Sequence, residues 1–137
     1  MTEFVLDASV TMRWCFENTS NAYAEGVLQQ LASGGSAVAS MLWRYEVISV
    51  LAKAERGGAI SSEKATEFLA ALNSLDIAID EERTGLVLTE VYRLAMAYRL
   101  TGYDAVYLEL ASRRNLPLAT LGTELARACH AAGGTVL

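Results

Sequence analysis

The sequence is poor in the residues that build zinc sites, disulfides and basic surfaces. Its 137 residues hold one histidine, two cysteines, one proline, and 11 lysines plus arginines against 16 acids, a net charge of −5. That balance argues against a protein that grips nucleic acid by a generally basic surface, but not against one that first holds a cation. Cys15 and Cys129 form no CxxC pair, and they fit buried thiols in a reducing cytoplasm better than a disulfide. The one histidine, His130, stands beside Cys129. Adjacent side chains on a helix diverge too much to chelate one ion, which speaks against zinc. No run of 18 apolar residues exists to span a membrane as a helix. The start Met-Thr-Glu-Phe lacks a basic region ahead of an apolar one, so it does not read as a secretory signal, and a cytoplasmic location is expected. With no repeat, low-complexity tract or linker, residues 1–137 read as a single domain.

What is present is apolar. Hydrophobic residues make up 53% and charged ones 20%, a composition that excludes a disordered chain. Phe4-Val5-Leu6 is a short continuous apolar run that suits a strand buried on both faces. Residues 21–32 read as a helix stopped by Gly34 and Gly35, followed by a weak strand at 37–39. The helix expected from Leu42 to Glu55 is apolar nearly all round its middle, Val47 to Ala52, and so is expected to be buried. Ser61 is placed to cap an amphipathic helix marked by Ala65, Phe68, Leu69 and Leu72. A strand at 77–79, a helix through Val87–Tyr98, a helix from Asp104 to Arg114, a strand at 118–120, a helix at 124–132 and an edge strand at 135–137 complete the pattern. Strands alternating with helices imply an α/β fold with a parallel sheet covered on both faces. In such sheets the ligand crevice lies beyond the C-terminal ends of the strands.

The acidic excess is concentrated in the middle of the chain. Residues 61–100 carry seven acids and four bases, including the run Asp80-Glu81-Glu82, which reads as a solvated loop. Three other carboxylates stand in apolar surroundings. Asp7 ends the first strand, at the mouth of the expected crevice, and is also in position to N-cap a helix at Ala8-Ser9. Glu46 precedes the apolar middle of its helix, where an ionised carboxylate is unfavourable unless it meets a positive group such as Arg44. Asp104 opens a helix with few polar positions and also completes a capping box in Thr101-Gly102-Tyr103-Asp104. Singly, each has a structural explanation. Gathered in one crevice, carboxylates about 4 Å apart repel by roughly 4 kcal/mol at an effective dielectric near 20, so a cluster needs protons or a cation. An all-oxygen donor set points to Mg²⁺ or Mn²⁺, and hence to metal-assisted phosphoryl chemistry.

Val5-Leu6-Asp7-Ala8-Ser9-Val10 with Arg13-Trp14, Glu46-Val47 with Val50-Leu51, Tyr103-Asp104-Ala105-Val106-Tyr107-Leu108-Glu109-Leu110-Ala111, and Leu118-Ala119-Thr120-Leu121 together resemble the PIN-domain family. Among its members the chain looks most like the VapC-type toxins of bacterial toxin–antitoxin pairs. The resemblance implies a three-layer α/β/α sandwich with a short parallel central sheet and a Mg²⁺- or Mn²⁺-dependent endoribonuclease acting on RNA. It also implies a homodimer and a cognate antitoxin protein. By the same resemblance Asp7, Glu46 and Asp104 are the catalytic and metal-binding acids, with Ser9 and Thr120 as orienting hydroxyls. Arg13 and Arg44 are near enough in sequence to the acids to meet flanking phosphates.

One departure stands out. The family usually has a further Asp two residues after the matched Thr, where this chain has Gly122. Glu124 is the nearest substitute acid, although at helical spacing it points roughly the opposite way. Two readings follow: a working ribonuclease, or a PIN-like binding module with weakened or lost catalysis that still docks its antitoxin. A phospho-accepting receiver-like domain is a third. It needs a late lysine, and the last one here is Lys64. Tyr92, Tyr98, Tyr103 and Tyr107 with Met96 suggest apolar surface for dimer or antitoxin contact, or core packing.

Overall fold

A computed structural model describes residues 2–81 and 84–137. The chain runs β1 (Glu3–Leu6), α1 (Ala8–Thr11), two short 3₁₀ turns, α2 (Ala22–Ala32), β2 (Ser36–Ala39), α3 (Met41–Arg56) and α4 (Ser62–Ser74). It continues β3 (Ile77–Ile79), α5 (Thr84–Tyr98), α6 (Gly102–Arg114), β4 (Leu118–Ala119) and α7 (Thr123–Ala131). The four strands form one sheet in the order β3-β2-β1-β4, every pairing parallel. Helices cover both faces, giving the expected α/β/α architecture.

Central β1 pairs with β2 on one side and β4 on the other, which explains why its sequence has no polar alternation. Phe4, Val5 and Leu6 are all fully buried. Helix starts follow local chemistry: Asn21, Ser40, Ser61 and Thr101 each accept a backbone N–H from three residues on. The sheet's connectivity reverses between β1 and β4, so the topological switch point lies where Asp7 and Thr120 leave their strands.

Three expectations change. The chain end forms no full strand: Val136 makes a single parallel bridge with Leu118, because β4 is only two residues long and offers little edge. Helix α3 buries only Trp43, Val47 and Leu51, the stripe at successive four-residue spacing. Ile48 and Val50 stay 53% and 40% exposed, because an apolar sequence has no packing partner on its outer side within one chain.

The third change concerns the acidic run. Glu82 lies outside the described residues and Glu81 is exposed, but Asp80 is only 2% exposed. Arg113 donates to both of its carboxylate oxygens, at 3.2 and 2.6 Å, and Arg114 donates twice to Oδ1, at 3.2 and 2.8 Å. Arg113 also donates to buried Glu109 at 2.7 Å. The last turn of α6 thereby clasps the end of edge strand β3. A buried carboxylate persists when it is paired in this way. The Arg113 guanidinium, then Arg114, hold the Asp80 carboxyl below its ordinary range against the opposing effect of burial. A depressed folded-state pKa adds stability above the unfolded value near 4, and that stability is lost as pH falls through the folded value. Asp80→Asn is therefore expected to lose about 1–3 kcal/mol at pH 7, with the difference from wild type shrinking toward pH 3, as read by urea denaturation.

Candidate metal centre

The site is built around Asp7. It occupies the N-cap position of α1, yet its side chain makes no capping bond. Instead its Oδ2 accepts the Ser9 hydroxyl at 2.7 Å and the Thr120 hydroxyl at 2.6 Å. Each of those hydroxyls in turn accepts a backbone N–H: Ser9 Oγ from Leu121 at 3.0 Å, and Thr120 Oγ1 from Gly122 at 2.9 Å. Orienting the acid and satisfying the local backbone are thus one arrangement. Each hydroxyl gives its one proton to the carboxylate, which can only accept, and takes the amide N–H on a lone pair. The Asp7 backbone is fixed as well, since the Thr11 hydroxyl donates to its carbonyl and accepts Trp43 Nε1 at 2.9 Å.

Glu46 does not pair with Arg44. Its Oε1 accepts the hydroxyl of buried Tyr107. Burial pushes the Glu46 carboxyl above its ordinary pKa, Tyr107 partly opposes that, and the charges of Asp7 and Asp104 push it further up. Tyr107 is held protonated, its pKa driven far up by burial first and by the bond to Glu46 second. It is therefore a permanent donor. Asp104 sits in the first turn of α6, where its backbone N–H donates to the Thr101 hydroxyl at 3.1 Å. Its carboxyl is raised by burial and then by Asp7.

Asp7, Glu46 and Asp104 thus come from three distant stretches and act on one another electrostatically. Among the described residues none of them has a salt bridge, whereas the fold supplies Asp80 with two guanidiniums. Nor do any three His, Cys, Asp or Glu side chains among the described residues stand as a ready-formed coordination shell. The donor set nevertheless suits a hard divalent ion: all oxygen, net negative, and without a salt-bridged cation among the described residues. Mg²⁺ in particular needs only one or two carboxylates because it keeps several waters.

The remaining candidates lie elsewhere. Exposed Arg13 reaches the Thr19 carbonyl at 3.4 Å. Arg44 stacks over the Tyr45 ring, 5.8 Å from its centroid. Glu124 pairs with Arg127 one turn along α7, both exposed. Gly122 is the N-cap of α7 and contributes no side-chain cap. Cys15 and Cys129 are free thiols. Sequence reasoning missed Tyr107 and Trp43 as positioning residues. The signal was available, since each lies three residues from a candidate acid on the same helix, the spacing that puts two side chains on one face. Tyr107→Phe removes the hydroxyl that donates to Glu46. It is expected to lower activity about tenfold and to move the acidic limb of the pH profile upward, measured as initial rate against pH.

A PIN domain family profile matches residues 4–131. No curated protein sequence matches the chain. Among solved structures, PAE2754 from Pyrobaculum aerophilum is 23% identical with a TM-score of 0.66, covering 93% of this chain and 84% of that one. A toxin–antitoxin complex from Klebsiella pneumoniae is 17% identical with a TM-score of 0.68, covering 98% and 96%. VapBC2 from Rickettsia felis, bound to a DNA fragment from its promoter, is 14% identical with a TM-score of 0.71, covering 99% and 98%.

Proposed function

The chain belongs to the PIN domain family, and from that premise we propose that it is a Mg²⁺- or Mn²⁺-dependent endoribonuclease, the toxin of a toxin–antitoxin pair. PIN domains are generally nucleases, and two of the similar folds are described as toxin–antitoxin or VapBC complexes. The observation that carries the reading is the set of three mutually repelling carboxylates at the switch point of a parallel sheet, without a salt bridge among the described residues.

In this reading Asp7 and Asp104 hold the ion, with Glu46 as a further ligand or as the base that orients the attacking water. The bound ion would supply an acidified water and would neutralise charge on the phosphoryl oxygens. The chain's own residues do the positioning. Ser9 and Thr120 hold Oδ2 of Asp7 and so keep its carboxylate from rotating. Tyr107 holds Glu46 in one orientation, and burial keeps the Glu46 carboxyl above its ordinary pKa. The exposed apolar stripe Leu88, Tyr92 and Met96 on α5 supports contact with a second copy or with an antitoxin. Among the described residues no helix is long and apolar enough to cross a membrane.

The alternative, a binding module with lost catalysis, is favoured by one feature, Gly122 in place of an acid. Cleavage of a mixed single-stranded RNA with Mn²⁺ or Mg²⁺ separates them. Product that disappears with chelator and returns with added metal is expected. No product at any metal concentration sinks the nuclease reading.

A further inference from the structure

Beside Glu46 the surface opens into a pocket of about 390 Å³, bounded by Leu42, Tyr45, Glu46, Ser49 and Val50 of α3 and by Tyr103 at the start of α6. Its two aromatic rings are unusually open: Tyr45 is 58% exposed and Tyr103 67%. Each directly precedes a candidate acid in the chain, Glu46 and Asp104. Arg44 places its guanidinium 5.8 Å from the Tyr45 centroid, so one ring already carries a cation over its face.

We propose that Tyr45 and Tyr103 form a stacking subsite for an unpaired nucleobase of the RNA substrate, with Arg44 meeting a flanking phosphate. The inference rests on the nuclease reading and adds the place where one unpaired base of the substrate sits. Only an unstacked base offers a free face to an aromatic ring, whereas the bases of an A-form duplex are closed to it. Stacking of this kind tolerates any base, because every base has a π-face. The apolar floor of Leu42 and Val50 suits a neutral ring. The phosphate goes to the guanidinium, away from the Glu46 carboxylate on the pocket wall.

A second copy of the chain is the competing occupant, and the charge argues against it. A two-fold interface buries the same patch on both copies, so seating this pocket in it would bury the Glu46 carboxylate of each copy, which has no salt bridge among the described residues, together with the like charges of Asp7 and Asp104 that act on it. Burying like charges together without a cation is strongly unfavourable.

The test uses an Asp7→Asn background, so that RNA is bound without being cut. The probe is a single-stranded oligoribonucleotide carrying 2-aminopurine, free or annealed to its complement. Tyr45→Ala and Tyr103→Ala are each expected to weaken single-strand binding about tenfold and to abolish the 2-aminopurine quench. Phe at either position should retain both, and the duplex should bind weakly and indifferently to all variants. In the otherwise wild-type chain Tyr103→Ala should raise KM more than it lowers kcat. Unchanged single-strand affinity and quench in the Ala variants overturn the subsite. If those variants instead turn a dimer into a monomer in sedimentation while RNA affinity holds, the face is an interface between copies and the subsite is equally overturned. Failure of the nuclease reading is read separately, as absence of metal-dependent cleavage by the wild-type chain.

Discussion

Asp7→Asn is expected to lower metal-dependent RNA cleavage at least a hundredfold while leaving the chain folded. Asparagine keeps an oxygen that can accept the Ser9 and Thr120 hydroxyls, now 2.7 and 2.6 Å from Oδ2, so the join between β1 and β4 survives. What it loses is the charge. Asp7 raises the pKa of both Glu46 and Asp104, which places it electrically between them. Its neutralisation removes one of the three negative charges available to a divalent ion and brings the other two carboxyls closer to their ordinary range. Changes to groups that only support a metal ligand already cost 10–100-fold in affinity or activity as a rough range, and a ligand itself should cost at least the upper end. Circular dichroism and thermal unfolding should match wild type while the cleavage rate falls. Equal rates for the two proteins would remove Asp7 from the mechanism.

Gly122→Asp is expected to act in the opposite direction. The Gly122 backbone, at φ −73° and ψ 115°, is open to any L-residue. A β-carbon there would stand 3.3 Å from the Thr120 hydroxyl oxygen and 3.6 Å from the Leu125 β-carbon, a fit that asks Thr120 to yield by a few tenths of an ångström. Asp is also a somewhat better N-cap than Gly, by a few tenths of a kcal/mol, roughly. The added carboxylate would begin next to the hydroxyl that holds Asp7, beside acids that lack a salt bridge among the described residues. Mn²⁺ affinity, by titration calorimetry, should rise about tenfold, equivalent to about 1.4 kcal/mol, and cleavage should rise with it. Activity found only in the variant would identify the native chain as a binder whose catalysis is lost. Equal metal affinity in both would show that three acids already saturate the site.

Much of the fold was legible because its signals are local. Phe4-Val5-Leu6 announces a strand buried on both faces, and Ser61 with the four-residue rhythm after it announces α4. The alternation of these elements forces a parallel sheet. The three acids were legible for a related reason: a charge inside an apolar run is locally anomalous. Asp80 was misread because it stands in a run of charges, where the ordinary fate is solvent. Its partners, Arg113 and Arg114, lie more than thirty residues away, and no local pattern reports a pairing made by packing α6 against the sheet. The same holds for α3, whose apolar circumference does not say which side will find a neighbour.

The sequence by itself determined the element order, the parallel α/β class, and a set of oxygen donors suited to a hard cation rather than to zinc. Only the tertiary structure decided what each acid does. It turned Asp7 from a helix cap into the acceptor of two hydroxyls, one from the first turn of α1 and one from just beyond β4, gave Glu46 a tyrosine in place of Arg44, and clasped Asp80 between two arginines. The physical reason is the range of the forces. Backbone preference and hydrophobic period act over a few residues, whereas the pairing and protonation of a carboxylate depend on whatever the fold places within a few ångströms of it.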